Sequence, residues 1–231
     1  AFDPDAIEER EVREVRAHGP TPEALFAHWI NECLYVHEVE GFAWRRIDFA
    51  VFEVARGGIL REGLGYERND VAVVLNIQPD HLGLRGVDTL EQLADVKAVL
   101  VAAVPRTGYA VLNADDPLVR KMRRKCSGQV VWFSMAEPGG EVRDYIEGHC
   151  RRGGRDVVLE RSDLGDMIVV KHGSRSMQLA WTHLLPATFG GRAMMNVQNG
   201  MAAAAAAFAA GAPLHDIRQG LRTFNTSYYL S

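Results

Sequence analysis

The sequence predicts an α/β fold: a mostly parallel, helix-flanked sheet with a small antiparallel β subdomain. Three observations carry that expectation. Short Val-rich runs at Phe49–Val54, Val71–Ile77, Tyr109–Leu112 and Val130–Phe133 are apolar on both faces, as buried parallel strands are. Helical patterns alternate with these runs and give a β-α-β rhythm. Beyond Arg151 the rhythm gives way to short alternating runs split by polar turns at Leu164-Gly165-Asp166 and His172-Gly173-Ser174, the pattern of an antiparallel meander.

Taken in order, residues 1–18 are mixed charge with little apolar content and carry no functional signal. Thr21-Pro22-Glu23 reads as a helix start, with Thr as N-cap and Pro at the first helical position. That helix is expected to reach about Val39, with Leu25, Trp29, Cys33 and Val36 on one face. Residues 1–46 thus form a charged segment plus a helix, ahead of a central domain at 47–227. Within that domain Asp88-Thr89-Leu90-Glu91 opens a helix to about Val104, and 117–125 reads as another. Asp156–Glu160, Met167–Lys171 and Met177–Trp181 are the strands of an antiparallel lobe at about 151–185. Pro186 to Arg192 is a tight loop. Behind it the Ala-rich Ala193–Ala210 has high helix propensity and ends at Gly211, and its small side chains suit close packing. Leu214–Phe224 is a last short helix.

Composition sets bounds. A chain of 231 residues, 47% hydrophobic, can bury one good core. A formal charge of −4 gives no electrostatic case for nucleic acid or an anionic membrane as partner. Cys33, Cys126 and Cys150 are scattered, with no C-x-x-C pair, which argues against a structural zinc site or a disulfide framework and suits a reducing cytosol. The apolar run around Met201–Gly211 is mostly alanine and too short to span a bilayer. The charged N-terminus has no apolar signal region. A cytoplasmic protein is expected.

The chemistry gathers in Asp48 to Gly83, because ligands of open α/β sheets collect at the carboxyl ends of strands. Glu53 ends an expected strand, where a carboxylate needs either a salt bridge to Arg56 or Arg61 or a bound cation. His81 follows a proline-pinned loop and offers an imidazole to a divalent ion. Lys97 lies on the helix after it and reads equally as a solvated surface lysine. Arg56-Gly57-Gly58 is a turn able to present backbone N–H groups to phosphate. Asn196 and Asn199 share a helix face; their amides suit a base or ribose, and equally suit capping or helix packing.

Together these residues resemble a known family. Phe52 to Arg61 with Gly63-Leu64-Gly65, Asn76-Ile77 with Asp80 to Gly83, Asn113 to Pro117, and Pro186 to Arg192 with Asn196 to Asn199 look like the Mur-ligase-like part of cyanophycin synthetases. The likeness covers roughly residues 47–227; Val54 stands where that family has Thr. It implies an ATP-dependent amino-acid ligase that activates a carboxylate as an acyl phosphate, which an amine then attacks. By the same resemblance Glu53 and His81 hold magnesium, and Lys97 matches a lysine that several Mur ligases carbamylate. Arg56 joins Lys97 as a catalytic cation, Gly57 and Gly58 meet ATP phosphates, and Asn196 and Asn199 lie near the adenine. Asp115-Asp116 matches the acidic turn after the third central strand. The implied partners are an amino-acid or peptide substrate and further copies of the chain in a homo-oligomer. The family's G-x-x-x-x-G-K-[ST] loop is missing from the sequence. So are counterparts of its C-terminal domain and of the ATP-grasp half of cyanophycin synthetases. The chain is therefore expected to be a piece of a longer ligase, or a divergent, catalytically inactive Mur-like module. A Mur or folylpolyglutamate-type ligase is the other alternative. On its own the chain is expected to bind Mg-ATP weakly and to be inactive.

Overall fold

A computed structural model describes residues 50–79, 82, 83 and 86–224. The expected helix from Thr21 to about Val39, the loop residues Asp80 and His81, and the end of the chain from Asn225 lie outside the described residues. Contacts divide the chain into two units, Ala1–Ala55 and Arg56–Ser231.

In the first unit the described residues, 50–55, form neither strand nor helix. This corrects the expected strand at Phe49–Val54. A strand that is apolar on both faces persists only when both faces are covered, and Val51 and Phe52 are 55% and 66% exposed.

The second unit opens with helix α1, Arg56–Glu62. The Arg56-Gly57-Gly58 stretch is therefore the first turn of a helix and not a turn between elements, and the N–H groups of a first turn have no partner within their own helix. Then follow β1 (Val71–Val74), α2 (Leu90–Ala102), β2 (Tyr109–Asn113), α3 (Pro117–Met122) and β3 (Gln129–Ser134). Next come α4 (Glu141–Arg151), β4 (Arg155–Ser162), β5 (Gly165–His172) and β6 (Arg175–Trp181), and finally α5 (Met194–Ala209) and α6 (Leu214–Thr223). The helices start where capping chemistry permits. Thr89 and Gln92 form a reciprocal capping box on α2, and Asp116 caps α3 with Pro117 at its first position.

The six strands among the described residues join one sheet in sequence order. β1 to β4 are parallel; β5 and β6 continue it antiparallel. The meander is therefore not a separate lobe. Its first strand pairs with β3, Val131 opposite Arg155 and Ser134 opposite Val158, so the lobe is the second half of the same sheet. Among the described residues β1 stands at the edge of the sheet, and it is shorter than the expected Val71–Ile77. Only alternate residues of it, Ala72 and Val74, are buried, and Val73 stays exposed.

The topology decides which helices cover which face. Right-handed crossovers that step one strand at a time in a single direction place every crossover helix on the same side. The buried residues follow that rule. Leu93, Ala98 and Val101 of α2, Val119 of α3 and Ile146 of α4 join Ala110, Leu112 and Trp132 in one core. The opposite face, with Val111, Val131 and Phe133, is left for the C-terminal helices and is covered by Val197, Met201, Ala204, Ala205 and Ile217. Period-2 alternation along β2 splits Ala110 and Leu112 from Val111 in this way. The alanines of α5 let its axis lie close to the strands, as their number in the sequence implied. Close approach is also enforced before β3: a Cβ on Gly128 would stand 2.6 Å from the Pro105 carbonyl oxygen and nearer still to that of Gly108.

Candidate functional site

The carboxyl ends of β1, β2 and β3 converge on one edge, and two adjacent acids hold it together. β2 ends at Asn113, whose Oδ1 accepts the Asp115 N–H at 2.9 Å and turns the chain back. Asp115 then reaches the end of β3. One carboxylate oxygen accepts the Ser134 hydroxyl at 2.5 Å and the other accepts the Met135 N–H at 2.8 Å. Ser134 Oγ in turn accepts the Ala136 N–H at 3.0 Å. Asp116 reaches the other way. Its Oδ2 accepts the Ile77 N–H at 2.8 Å, three residues past β1, while its Oδ1 caps α3 through Leu118 and Val119. The acidic turn thus ties the ends of three parallel strands, and its oxygens are engaged by backbone and hydroxyl donors. Ser134 was not singled out in the sequence, and Ile77 was quoted only within the Asn76-Ile77 pair; the signal within reach was Asp-Pro at a helix start, which names a cap.

The expected site residues divide into several groups. Glu53 is exposed and belongs to the first unit, and His81 lies outside the described residues. Lys97 is half-buried midway along α2 and has no hydrogen-bond or ion-pair partner among the described residues. Arg56 begins α1, and Arg61 donates through Nε to the Gly57 carbonyl at 3.2 Å. Gly57 and Gly58 have open space where a side chain would stand. On the other face Asn196 donates from Nδ2 to the Ala187 carbonyl at 2.6 Å, clamping the first turn of α5 to the loop before it, so part of its amide is already used structurally. Asn199, one turn on, is exposed. In the loop Phe189 has a left-handed backbone, φ 52°, and is 54% exposed, an uncommon conformation for an aromatic residue. Thr188 braces that turn by donating to the Thr182 carbonyl at 2.6 Å and accepting the Gly191 N–H at 3.0 Å.

A magnesium ion wants about six oxygens, and ATP needs a cradle for its phosphates. The carboxylates of Asp115 and Asp116 are spent on the strand ends. Among the described residues no three His, Cys, Asp or Glu side chains gather as a metal site, and no phosphate-binding loop sequence is present. The described residues supply a tied edge of strand ends and not, by themselves, a fitting Mg-ATP site. No helix among them is long and apolar enough to cross a membrane.

Comparisons with known proteins place this frame. Residues 30–207 match the family described as Mur ligase middle domain. Cyanophycin synthetase of Synechocystis sp. is 46% identical over 181 residues, 78% of this chain and 20% of the relative. UDP-N-acetylmuramoylalanine–D-glutamate ligase of Symbiobacterium thermophilum is 31% identical over 158 residues, 67% of this chain and 29% of the relative. A crystal structure of MurF from Acinetobacter baumannii overlaps 68% of this chain and 29% of its own, with a TM-score of 0.43 and 24% identity. The chain spans about a fifth of the length of the cyanophycin synthetases it matches. The sequential parallel strands, the helices on both faces and the match over most of the chain agree: this chain belongs to the Mur ligase middle-domain family.

Proposed function

We propose that the chain is the nucleotide-handling part of an ATP-dependent amide ligase of the cyanophycin-synthetase type. In this reading the γ-phosphoryl group of ATP passes to a substrate carboxylate with loss of ADP. An amine then attacks the acyl phosphate, forms the amide and expels phosphate. The observation that carries the reading is the 46% identity to a cyanophycin synthetase, against 31% to a muramoylalanine–glutamate ligase. The tied carboxyl edge supports it, since open α/β sheets bind ligands there.

Glu53 and His81 are the proposed magnesium ligands, and Lys97 and Arg56 the cations near the transferring group. Gly57 and Gly58 would allow close approach of phosphate, consistent with the open space beside them. Asn196 and Asn199 would border the adenine, with the exposed Phe189 a short distance along the chain. The phosphate cradle must then come from beyond the described residues, and an amino-acid or peptide substrate in the cytoplasm is the expected setting.

The test uses the protein that contains this chain, assayed for amino-acid-dependent release of ADP and phosphate. Glu53→Ala and Lys97→Ala should each lower turnover by about a hundredfold or more while the thermal midpoint holds. If no amino acid stimulates phosphate release, or the variants lose stability and no turnover, the chain serves as an inactive module and the catalytic assignment falls.

A further inference from the structure

At the opposite end of the sheet, where β2, β3 and β4 begin, lies an open cleft of about 340 Å³. That is near the lower end of the range for small-molecule pockets, about 300–1,000 Å³. Tyr109, Arg123, Gln129, His149, Arg152 and Arg155 line it. The strands are five to six residues long there, so it stands roughly 15–20 Å from the carboxyl edge at about 3.3 Å per residue.

Three guanidinium groups share this cleft, in a chain whose formal charge is −4. Elsewhere on the sheet Arg143 meets Glu147 and Glu160, Arg161 meets Glu137 and Asp166, and Arg218 donates to the Leu179 and Gln178 carbonyls. Arg123, Arg152 and Arg155 meet no carboxylate among the described residues. Like charges crowded in a cleft raise its potential and favour an incoming anion.

Beneath the cleft lies Asp156, which is 0% exposed. Its oxygens accept the His149 Nδ1–H at 2.8 Å, the Cys150 S–H at 2.9 Å and the Trp132 N–H at 3.0 Å. It is therefore engaged below and makes no ion pair with the arginines above. It also fixes the tautomer of His149, leaving Nε2 as the free ring nitrogen.

The cleft is held in shape from two sides. Arg155 donates to the Tyr109 hydroxyl at 3.1 Å and lies over the Tyr109 and Phe208 rings, 5.2 and 5.7 Å from their centroids. A stacked guanidinium keeps its remaining N–H groups in a fixed plane, which suits oxyanions. Gly154 leaves room for the imidazole, since a Cβ there would stand 2.7 Å from His149 Cγ and closer to other ring atoms.

We propose that this cleft is a second ligand site, taking a small multivalent oxyanion that presents phosphoryl or carboxyl groups to Arg123, Arg152 and Arg155, with His149 beside them. It needs no divalent metal and is independent of the ligase reading.

Calorimetric titration of the 231-residue chain, free of magnesium and at low salt, with pyrophosphate and separately with citrate tests it. One saturable site should be found, with a Kd below about 1 mM for the better of the two; whichever binds tighter identifies phosphoryl or carboxyl as the chemistry selected. Arg123→Gln and Arg152→Gln, both exposed and safe for folding, should each weaken binding roughly tenfold, the loss of one charge-assisted contact. Arg124→Gln removes the same charge outside the cleft and should change binding less than about twofold. No saturable binding of either anion, or equal weakening by the Arg124 variant, overturns the proposal. Binding at the nucleotide edge would be blind to Arg152 and would overturn it too.

Discussion

Asp116 offers the sharpest test of how the candidate edge is built. Its carboxylate serves two elements at once: Oδ1 caps α3 at Leu118 and Val119, at 2.8 and 3.1 Å, and Oδ2 holds the Ile77 N–H at 2.8 Å. Asp116→Ala removes both. Loss of an N-cap costs about 1 kcal/mol, and loss of a hydrogen bond to a charged group costs about 1.5–3 kcal/mol. The expected destabilisation is therefore about 2.5–4 kcal/mol. Asp116→Asn separates the two parts. Its amide oxygen can still cap α3, while its NH2 would face the Ile77 N–H donor to donor, so this variant should lose only the strand tether. Urea unfolding followed by tryptophan fluorescence gives the totals, with an unchanged slope expected, since the surface exposed on unfolding is the same. Amide exchange reports the tether directly: Ile77 should exchange faster in both variants, and Leu118 faster only in the alanine variant. A loss below about 0.5 kcal/mol, or an Ile77 amide as protected as before, would show that the three strand ends are held by packing alone.

Two other outcomes follow from local geometry. Gly128→Ala should destabilise by about 1–3 kcal/mol, because its Cβ meets two backbone carbonyls that cannot swing away. Gly220→Ala, in α6 with open space around it, should stabilise by about 0.5–1 kcal/mol, and chemical denaturation of the pair tests the contrast. Burial, reinforced by Asp156, pushes the Cys150 thiol up from 9.0 to about 12. The unfolded chain therefore loses that proton first, and stability should fall as pH rises from about 9 towards 12. Cys150→Ser keeps a donor to Asp156 without titrating in that window, so its stability should fall less steeply; parallel pH curves for the two proteins would refute this.

The fold was legible where one physical signal dominated. Val-rich runs gave β2 and β3, and Asp88-Thr89-Leu90-Glu91 gave the start of α2. The Ala-rich run gave α5 almost to its ends. The sequence signal was weakest where neighbours decide. Phe49–Val54 has the composition of a core strand, but composition does not say whether both faces will be covered, and Val51 and Phe52 are exposed. Helix α4 has no counterpart among the expectations. Its residues are charged, and the buried stripe consists of only Arg143, Ile146 and Cys150, one of them an arginine. Arg143 is buried because its guanidinium donates to the Leu159 carbonyl at 3.1 Å and meets Glu147 and Glu160, partners that are apparent only after β4 is in place.

The same limit explains why the candidate site was only partly readable. An Asp-Asp pair after a strand has two physical uses: its carboxylates can face outward to cations, or turn inward to backbone N–H groups left unsatisfied at strand and helix ends. Side-chain type is identical in both. What separates them is whether unpaired donors lie within about 3 Å, and that depends on Ile77 and Met135 arriving from other strands. Here they arrive, and Asp115 and Asp116 turn inward. At the amino ends of the strands the reverse holds. Asp156 is buried and engaged with His149, Cys150 and Trp132, so Arg123, Arg152 and Arg155 are left without a carboxylate among the described residues. The Asp115-Asp116 pair marks one edge, where it proves to be a structural fastening. The unpaired cations stand at the other, and nothing in their sequence spacing would have gathered them.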